Sequence, residues 1–358
     1  MKKQITLTSV FAAVAALTLV AACNKVEPSH VNGPEIPSEG SSRITLSFPA
    51  EAATKAGTEA TTAEKTINSL RVFVFDSNNL FEKELVGVTI AGDKLSATAT
   101  GIITNGVKTF RALANTGSSF AMTAGTTTVS QFDTQMSLLS DNLSSGSLNL
   151  VMAASATKEI LKDETVNMSL SRLVSKVCLT KIVRNFSDSE LGKLALTVKA
   201  VYIEDVAGYI YWGGAAVPAA SQYYYNKFGT PDAAMNPLLY ADVTDFSVAQ
   251  GGSSNQDIPF YVYSNPATEE SVSLTWSPRK SRIVLVVEYA GQSASKYYTA
   301  YLPQTDPNKV YNVELTLQHG PAESPVVEPG TEADIELAMT ANITVSDWGS
   351  VVTVPVNV

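Results

Sequence analysis

Residues 43–48, Arg-Ile-Thr-Leu-Ser-Phe, alternate polar and apolar side chains with a period of two. Ile44, Leu46 and Phe48 share one face of an extended strand, because successive side chains of a strand point to opposite faces. Leu70, Val72 and Val74 repeat the two-residue spacing of apolar side chains one strand later. This period predicts β-strands with one buried face.

Short segments of the same kind, rich in Val, Ile, Thr and Tyr, continue along the chain between turn-forming residues. The further candidates are 86–90, 108–113, 148–153, 166–170, 173–182, 194–203, 258–263, 272–276, 282–289, 297–301 and 310–317. No long stretch carries the apolar stripe of a helix. The strand count and spacing predict an all-β chain with two β-sandwich domains in tandem.

The domain borders follow from shifts in composition. We expect an N-terminal sandwich over 43–185 and a C-terminal sandwich over 186–318, because an apolar run ending at Val183 gives way to polar residues. Prolines in 319–334 predict a semi-rigid linker.

The end of the chain, 335–358, contains two more alternating segments around a turn at 347–349. The last segment places four valines on one face: Val352, Val354, Val356 and Val358. A terminus is normally polar and frayed, so two strands with apolar faces require a partner. Pro355 prevents a complete ladder of hydrogen bonds along both edges of the last strand.

The beginning of the chain, 1–22, has two lysines followed by an apolar run, which is the layout of an export signal peptide. Small residues directly before Cys23 resemble the lipobox of bacterial lipoproteins, so Cys23 is predicted to carry lipid and 23–42 to form a Pro-containing tether. An ordinary signal peptide with a nearby cysteine is the alternative.

Composition excludes several classes of function. The 358 residues carry a formal charge of -9, so we expect no nucleic-acid partner. The two His and two Cys could form a usual zinc site only if all four converged. A carboxylate metal site stays open, and no cofactor is predicted.

An enzyme is not predicted. His30 lies in the tether and His319 in the linker, so no histidine is available for a catalytic triad in the sandwiches. Acidic pairs such as Glu269-Glu270 are typical of solvated turns in an acidic chain. A stretch at 209–214 and 223–225 combines tyrosines, Trp212 and two glycines, and it favours either core packing or a surface that binds carbohydrate or a host ligand.

Several segments, in this order, resemble the fimbrillin family, the subunits of type V pili of Bacteroidia. They are Cys23, 43–48, 54–56, 67–76, 170–177, 311–315 and 343–348. The resemblance implies transthyretin-like sandwiches and a structural pilin that supports adhesion. It also implies a lipidated (palmitate-bearing) outer-membrane precursor that matures into a cell-surface fimbrium.

The resemblance further implies proteolysis in the loop after the first strand, loss of that strand, and its replacement by the C-terminal strand of another subunit. The cut would fall between Lys55 and Ala56, although the family's best-known cleavage residue is Arg. Arg43 is the other basic candidate, but a cut there would leave 44–48 in place. The valines of 352–358 have the same period as Ile44, Leu46 and Phe48, so they could fill the same pockets.

The implied partners are copies of this chain, related fimbrial subunits, a maturation protease, the outer membrane, and a host or bacterial surface ligand. The alternatives are a non-polymerising surface lipoprotein that binds carbohydrate or a host ligand, and a tip or anchor subunit of the fimbrium. The predicted C-terminal strand pair favours a shaft subunit.

Overall fold

The structure is a computed structural model that describes residues 40–50, 59–186, 189–220, 224–225, 237–269, 277–292, 294–321 and 339–348. These residues all lie in the compact unit Pro37–Val358. They form many strands and a few very short helices.

The elements up to residue 172 are β1 (Ser41–Phe48), α1 (Thr62–Lys65), β2 (Leu70–Phe75), β3 (Phe81–Glu84), β4 (Gly87–Ile90), β5 (Ala97–Thr104), β6 (Gly106–Ala114), α2 (Val129–Asp133), β7 (Met136–Leu138), a 3₁₀ turn (Leu139–Asn142), β8 (Leu143–Ser144), β9 (Ser147–Leu148), β10 (Met152–Ile160), β11 (Glu164–Asn167) and β12 (Ser171–Arg172).

The elements after residue 172 are β13 (Ser175–Arg184), α3 (Ser189–Lys193), β14 (Leu196–Glu204), β15 (Val206–Ala207), β16 (Tyr209–Tyr211), β17 (Tyr224–Tyr225), β18 (Tyr240–Ser247), β19 (Ser253–Val262), β20 (Arg282–Tyr289), β21 (Lys296–Tyr301), β22 (Lys309–Leu317) and β23 (Met339–Asp347).

The first sandwich consists of a four-stranded sheet in the order β11-β1-β5-β4 and a five-stranded sheet in the order β12-β10-β6-β2-β3. Alternate side chains of both sheets meet in one core, which includes Leu46, Val72 and Phe110 at 0% exposure. Burial of one face per strand explains the period of two in the sequence.

The second sandwich consists of two four-stranded sheets, β19-β13-β22-β23 and β18-β14-β20-β21. Its core includes Val177, Leu285 and Val313. The prediction of an all-β fold with two sandwiches is therefore confirmed. The strand predicted at 282–289 is observed with the same bounds as β20. The strand predicted at 148–153 is observed as β10, which begins at Met152. The strand predicted at 272–276 lies outside the described residues.

Strand β13 belongs to a different sandwich from the strands that precede it in the chain. It falls within the predicted N-terminal range 43–185, yet it pairs with β19 and β22 of the second sandwich. This pairing favours a border between the two sandwiches before Ser175. The polar residues after Arg184, which suggested the later border, follow a strand that already belongs to the second sandwich. The domain ranges themselves stay a prediction.

Candidate functional site: the slot of the first strand

Strand β1 is held along both edges within the first sandwich. It is antiparallel to β5, from Ser41 opposite Thr104 to Phe48 opposite Ala97. On its other edge it is parallel to β11, with Leu46 opposite Val166. Removal of β1 would leave two strand edges with unpaired backbone groups facing one slot.

The three side chains predicted to face inward do so. Ile44 and Leu46 are 0% exposed and Phe48 is 1% exposed, and all three belong to the core of the first sandwich. Burial of a large apolar side chain contributes about 1.5–3 kcal/mol. The slot is therefore apolar as well as rich in unpaired hydrogen-bonding groups once it is empty.

The chain enters the slot through a turn at Gly40, whose φ of 78° lies in the left-handed region that favours glycine. The Gly40 carbonyl accepts a hydrogen bond from the Asn105 amide at 2.8 Å. The Ser42 hydroxyl donates to the Asn105 side chain at 2.6 Å, and the Arg43 amide donates to Asp163 at 2.7 Å. These bonds fix the pairing register of β1.

At the other end, Phe48, Pro49 and Ala50 line an open pocket of about 430 Å³ together with residues of β4 and β5. The next residues, 51–58, lie outside the described part of the chain, and the predicted cleavage residues Lys55 and Ala56 are among them. Cys23 and the four valines at 352–358 also lie outside it. The structure therefore places only Ile44, Leu46 and Phe48 among the predicted site residues.

Helix α1, which follows residues 51–58 closely in the chain, begins with a capping box in which Thr61 and Glu64 exchange hydrogen bonds. The Glu64 carboxylate is buried between the two sandwiches and accepts from Lys176 at 2.9 Å and from the Tyr261 hydroxyl at 2.7 Å. Burial by itself would raise the pKa of Glu64, but the hydrogen bonds from Thr61, Tyr261 and Lys176 lower it below its ordinary value.

The same contact includes the last described residue of the chain. The Arg172 side chain donates to the Glu64 carbonyl at 2.9 Å and lies 4.7 Å from the centre of the Trp348 ring. Trp348 is 0% exposed and stacks on Tyr261 at 5.9 Å. We call Glu64, Arg172, Lys176, Tyr261 and Trp348 the junction cluster. It joins the residues after the predicted cleavage loop to the residue before 349–358.

The predicted strand pair at 335–358 needs one correction. Its first strand, β23, is antiparallel to β22, with Ile343 opposite Val313. Met339 is buried in the second core, and Ala341 and Ile343 pack against it. This strand therefore completes its own sheet, and the alternation of apolar residues could not distinguish pairing within the chain from pairing between chains.

The aromatic stretch near residue 212 packs within the protein. Trp212 is 3% exposed, and its ring lies 5.1 Å from that of Phe132. Tyr209 and Tyr211 are half-buried in β16, which pairs with β7. The Tyr224 hydroxyl donates to Asn265 at 2.6 Å. None of these described aromatic rings is an exposed platform for a sugar.

The described residues contain neither a cluster of metal ligands nor a membrane-spanning helix. No three or more His, Cys, Asp or Glu side chains lie together there as a metal site would require. None of the helices in this part of the chain has the length and apolarity needed to cross a bilayer.

Fold and slot together define an all-β protein of two sandwiches whose first strand is inserted between two others and is followed directly by the predicted cleavage loop. A family model described as major fimbrial subunit protein (FimA) matches residues 42–181. The matched range contains the first sandwich and its slot. The predicted resemblance to the fimbrillins is therefore confirmed.

Solved structures share the fold. A candidate cell adhesion protein from Parabacteroides distasonis is 18% identical with a TM-score of 0.58, over 86% of this chain and 98% of that chain. A fimbrilin from Porphyromonas gingivalis is 13% identical with a TM-score of 0.56, over 86% and 98%. A candidate cell adhesion protein from Bacteroides eggerthii is 16% identical with a TM-score of 0.55, over 88% and 98%. No curated protein sequence matches this chain.

Proposed function

We propose that this chain is a structural pilin that polymerises into fimbriae when proteolysis removes β1 and a strand from another subunit takes its place. The observation that carries the proposal is the position of β1, which is bonded along both edges and contributes three buried side chains. A strand in this position blocks the slot until it is removed.

Replacement is physically favourable because an empty slot exposes backbone groups and apolar surface together. The C-terminal segment 351–358 supplies alternate valines for the pockets of Ile44, Leu46 and Phe48, which is β-strand addition with side-chain specificity. Contacts of this head-to-tail kind extend into filaments, because they are heterologous.

The precursor is proposed to be exported, to carry lipid on Cys23, and to reach the outer membrane before the cut releases the folded subunit to the cell-surface fimbrium. Its partners are then copies of itself, related fimbrial subunits and the maturation protease. An adhesive role toward host or bacterial surfaces belongs to the assembled filament.

The cleavage site gives a direct test. We expect Lys55→Ala to block maturation and filament assembly while the precursor stays folded, because the protease loses its basic recognition residue. Lys162→Ala, at an exposed lysine in the turn between β10 and β11, is the matched control and should mature normally. Mass determination of secreted subunits distinguishes cut from uncut chains. Normal maturation of the Lys55 variant would move the cleavage site elsewhere.

Limited trypsin treatment of the uncut precursor should give a complementary result. Cleavage at Lys55 is expected before cleavage within the sandwiches, because long polar loops between strands are the preferred sites of nicking. The uncut precursor should elute as a monomer in size-exclusion chromatography, since β1 fills the slot. Spontaneous polymers of uncut protein would count against a blocked slot.

The junction cluster predicts an acid-sensitive contact between the sandwiches. The Glu64 pKa is lower in the folded chain than in the unfolded one, so its stabilisation is complete above the unfolded pKa. The stabilisation is lost as the pH falls through the folded pKa. Glu64→Gln should lower the free energy of unfolding at pH 7 by about 3 kcal/mol, because it leaves Lys176 buried without its carboxylate.

Denaturant unfolding at pH 7 and at pH 3 measures both effects. The control is Glu190→Gln, since Glu190 is 78% exposed in its ion pair with Lys193 and should change stability by less than about 0.5 kcal/mol. The Glu64 variant should also show a smaller loss of stability on acidification than the parent chain. Equal acid sensitivity of the two chains would contradict the assignment to Glu64.

A further inference from the structure

The slot of β1 has pockets of unequal size. The inward residues of the neighbouring strand β5 are small. Along the slot they are Gly101 opposite Ile44, Ala99 opposite Leu46 and Ala97 opposite Phe48. The bulk between the two strands therefore comes from β1, whose three inward side chains are at most 1% exposed. A strand that replaces β1 must supply that bulk itself, because a void in a packed core costs stability.

The slot is narrow at the Ile44 end. The Leu85 side chain lies so close to Gly101 that a β-carbon added there would be 2.8 Å from Leu85 Cδ2. On the other edge, β11 runs beside β1 from Glu164, opposite Ile44, to Asn167. Ile44 is therefore enclosed by Leu85 and by a strand on either side.

The slot is wide at the Phe48 end. Phe48 lies one residue beyond the last residue of β1 that pairs with β11. With Pro49 and Ala50 it lines the open pocket of about 430 Å³ beside residues of β4 and β5. The proposed cut after Lys55 would remove all three residues, so the Phe48 position and the open pocket would become one cavity.

The C-terminal segment of this chain does not match that cavity. The inward side chains predicted for 351–358 are all valines. A valine is close in size to Ile44 but much smaller than Phe48. A copy of this chain would therefore fill the Ile44 end of the slot and leave the Phe48 end partly empty. An aromatic side chain would fill it, because aromatic rings bury a large apolar area.

We propose that the Phe48 position is the specificity pocket of the slot and that it favours a donor strand with an aromatic side chain. The preferred partner is then a related fimbrial subunit whose donated strand carries such a residue, and a copy of this chain is the weaker donor. The inference rests on the proposed strand replacement and assigns its partner choice to one pocket. Main-chain hydrogen bonds give affinity for either donor, and the pocket discriminates between them.

The test is competition for the slot of the full-length chain after trypsin cleavage at Lys55. Synthetic peptides compete with polymerisation, which light scattering follows. The parent peptide has the sequence of residues 350–358, and a control peptide carries Thr353→Phe on the outward face. Four test peptides each replace one inward valine: Val352→Phe, Val354→Phe, Val356→Phe and Val358→Phe.

One of the four test peptides should inhibit polymerisation at a concentration at least about tenfold lower than the parent peptide, because its ring fills the cavity that valine leaves. The other three should not gain, since their rings meet narrower positions or lie outside the slot. The position that gains also fixes the register of the donated strand. Absence of a gain in all four peptides, or an equal gain with Thr353→Phe, would overturn the proposal.

A matched pair from β1 tests the pocket without the C-terminal segment. The peptide of residues 41–50 should inhibit at a concentration at least about tenfold lower than its Phe48→Val version. A full-length chain with Phe48→Val and Ala97→Leu, which moves bulk from β1 to β5, should keep its fold, because the core volume is nearly conserved. Its slot should lose the preference for phenylalanine. A preference that survives this change would contradict the assignment to the Phe48 position.

The two proposals fail in different ways. If no peptide inhibits, including the peptide of residues 41–50, then β1 is not replaceable, and the proposed function is wrong together with this inference. If the parent peptide inhibits and phenylalanine brings no gain, strand replacement stands and the specificity pocket is wrong.

Discussion

Deletion of residues 351–358 should abolish polymerisation and leave a folded, secreted and cleavable subunit. The reason is that the contacts of a donated strand lie between chains. Four buried valines contribute about 6 kcal/mol to such a contact before ordering costs. Electron microscopy of the cell surface measures assembly, and a thermal melt of the truncated precursor measures folding.

The melt discriminates between the two possible uses of this segment. If 351–358 completed its own sandwich, the deletion would remove buried valines from a domain of ordinary marginal stability and would lower its melting temperature strongly. Val354→Asp should reproduce the assembly defect, because it buries an unpaired carboxylate in the slot. Thr353→Asp, on the opposite face of the strand, is the matched control and should assemble better.

The second large effect concerns β1, the strand that occupies the slot in the uncut precursor. Leu46→Ala should destabilise the uncut precursor by about 2–5 kcal/mol, the range for a buried leucine, because Leu46 is 0% exposed in the first core. The same substitution should have no effect on mature filaments, since the residue leaves with β1. Chemical denaturation of precursor and of filaments measures the two states.

Leu85→Ala is the control for this experiment. Leu85 is 2% exposed in the same core, but it lies outside the segment that is removed. Its loss should therefore destabilise precursor and filament alike. A Leu46 variant whose filaments are weakened as much as its precursor would show that β1 stays in the mature subunit.

Most of the fold could be predicted because strands with one buried face alternate polar and apolar residues in the sequence. Strands β1 and β22 illustrate this, since buried apolar residues alternate with polar ones along most of each strand. Strand β5 escaped prediction because Ala97, Ala99 and Gly101 carry little apolar signal, although the strand lies in the middle of its sheet. Small residues suit this position, where Leu85 packs close to Gly101.

The junction cluster could not be predicted from sequence spacing. Arg172 joins residues that lie 108 positions before it and 176 positions after it. The Thr61 to Glu64 capping box was a visible local signal for α1, but nothing local indicates that the Glu64 carboxylate would be buried against a second sandwich. Strand β23 is the opposite case. Its alternation of apolar residues could be seen in the sequence, but its pairing with β22 could not.

The most direct test of strand replacement is mass spectrometry of washed surface filaments under denaturing conditions. We expect subunits that begin at Ala56 and end at Val358, with no lipid and no accompanying peptide from residues 23–55. Subunits that begin at a lipidated Cys23, or filaments that retain the 23–55 peptide, would contradict it, because β1 would then still occupy the slot between β5 and β11.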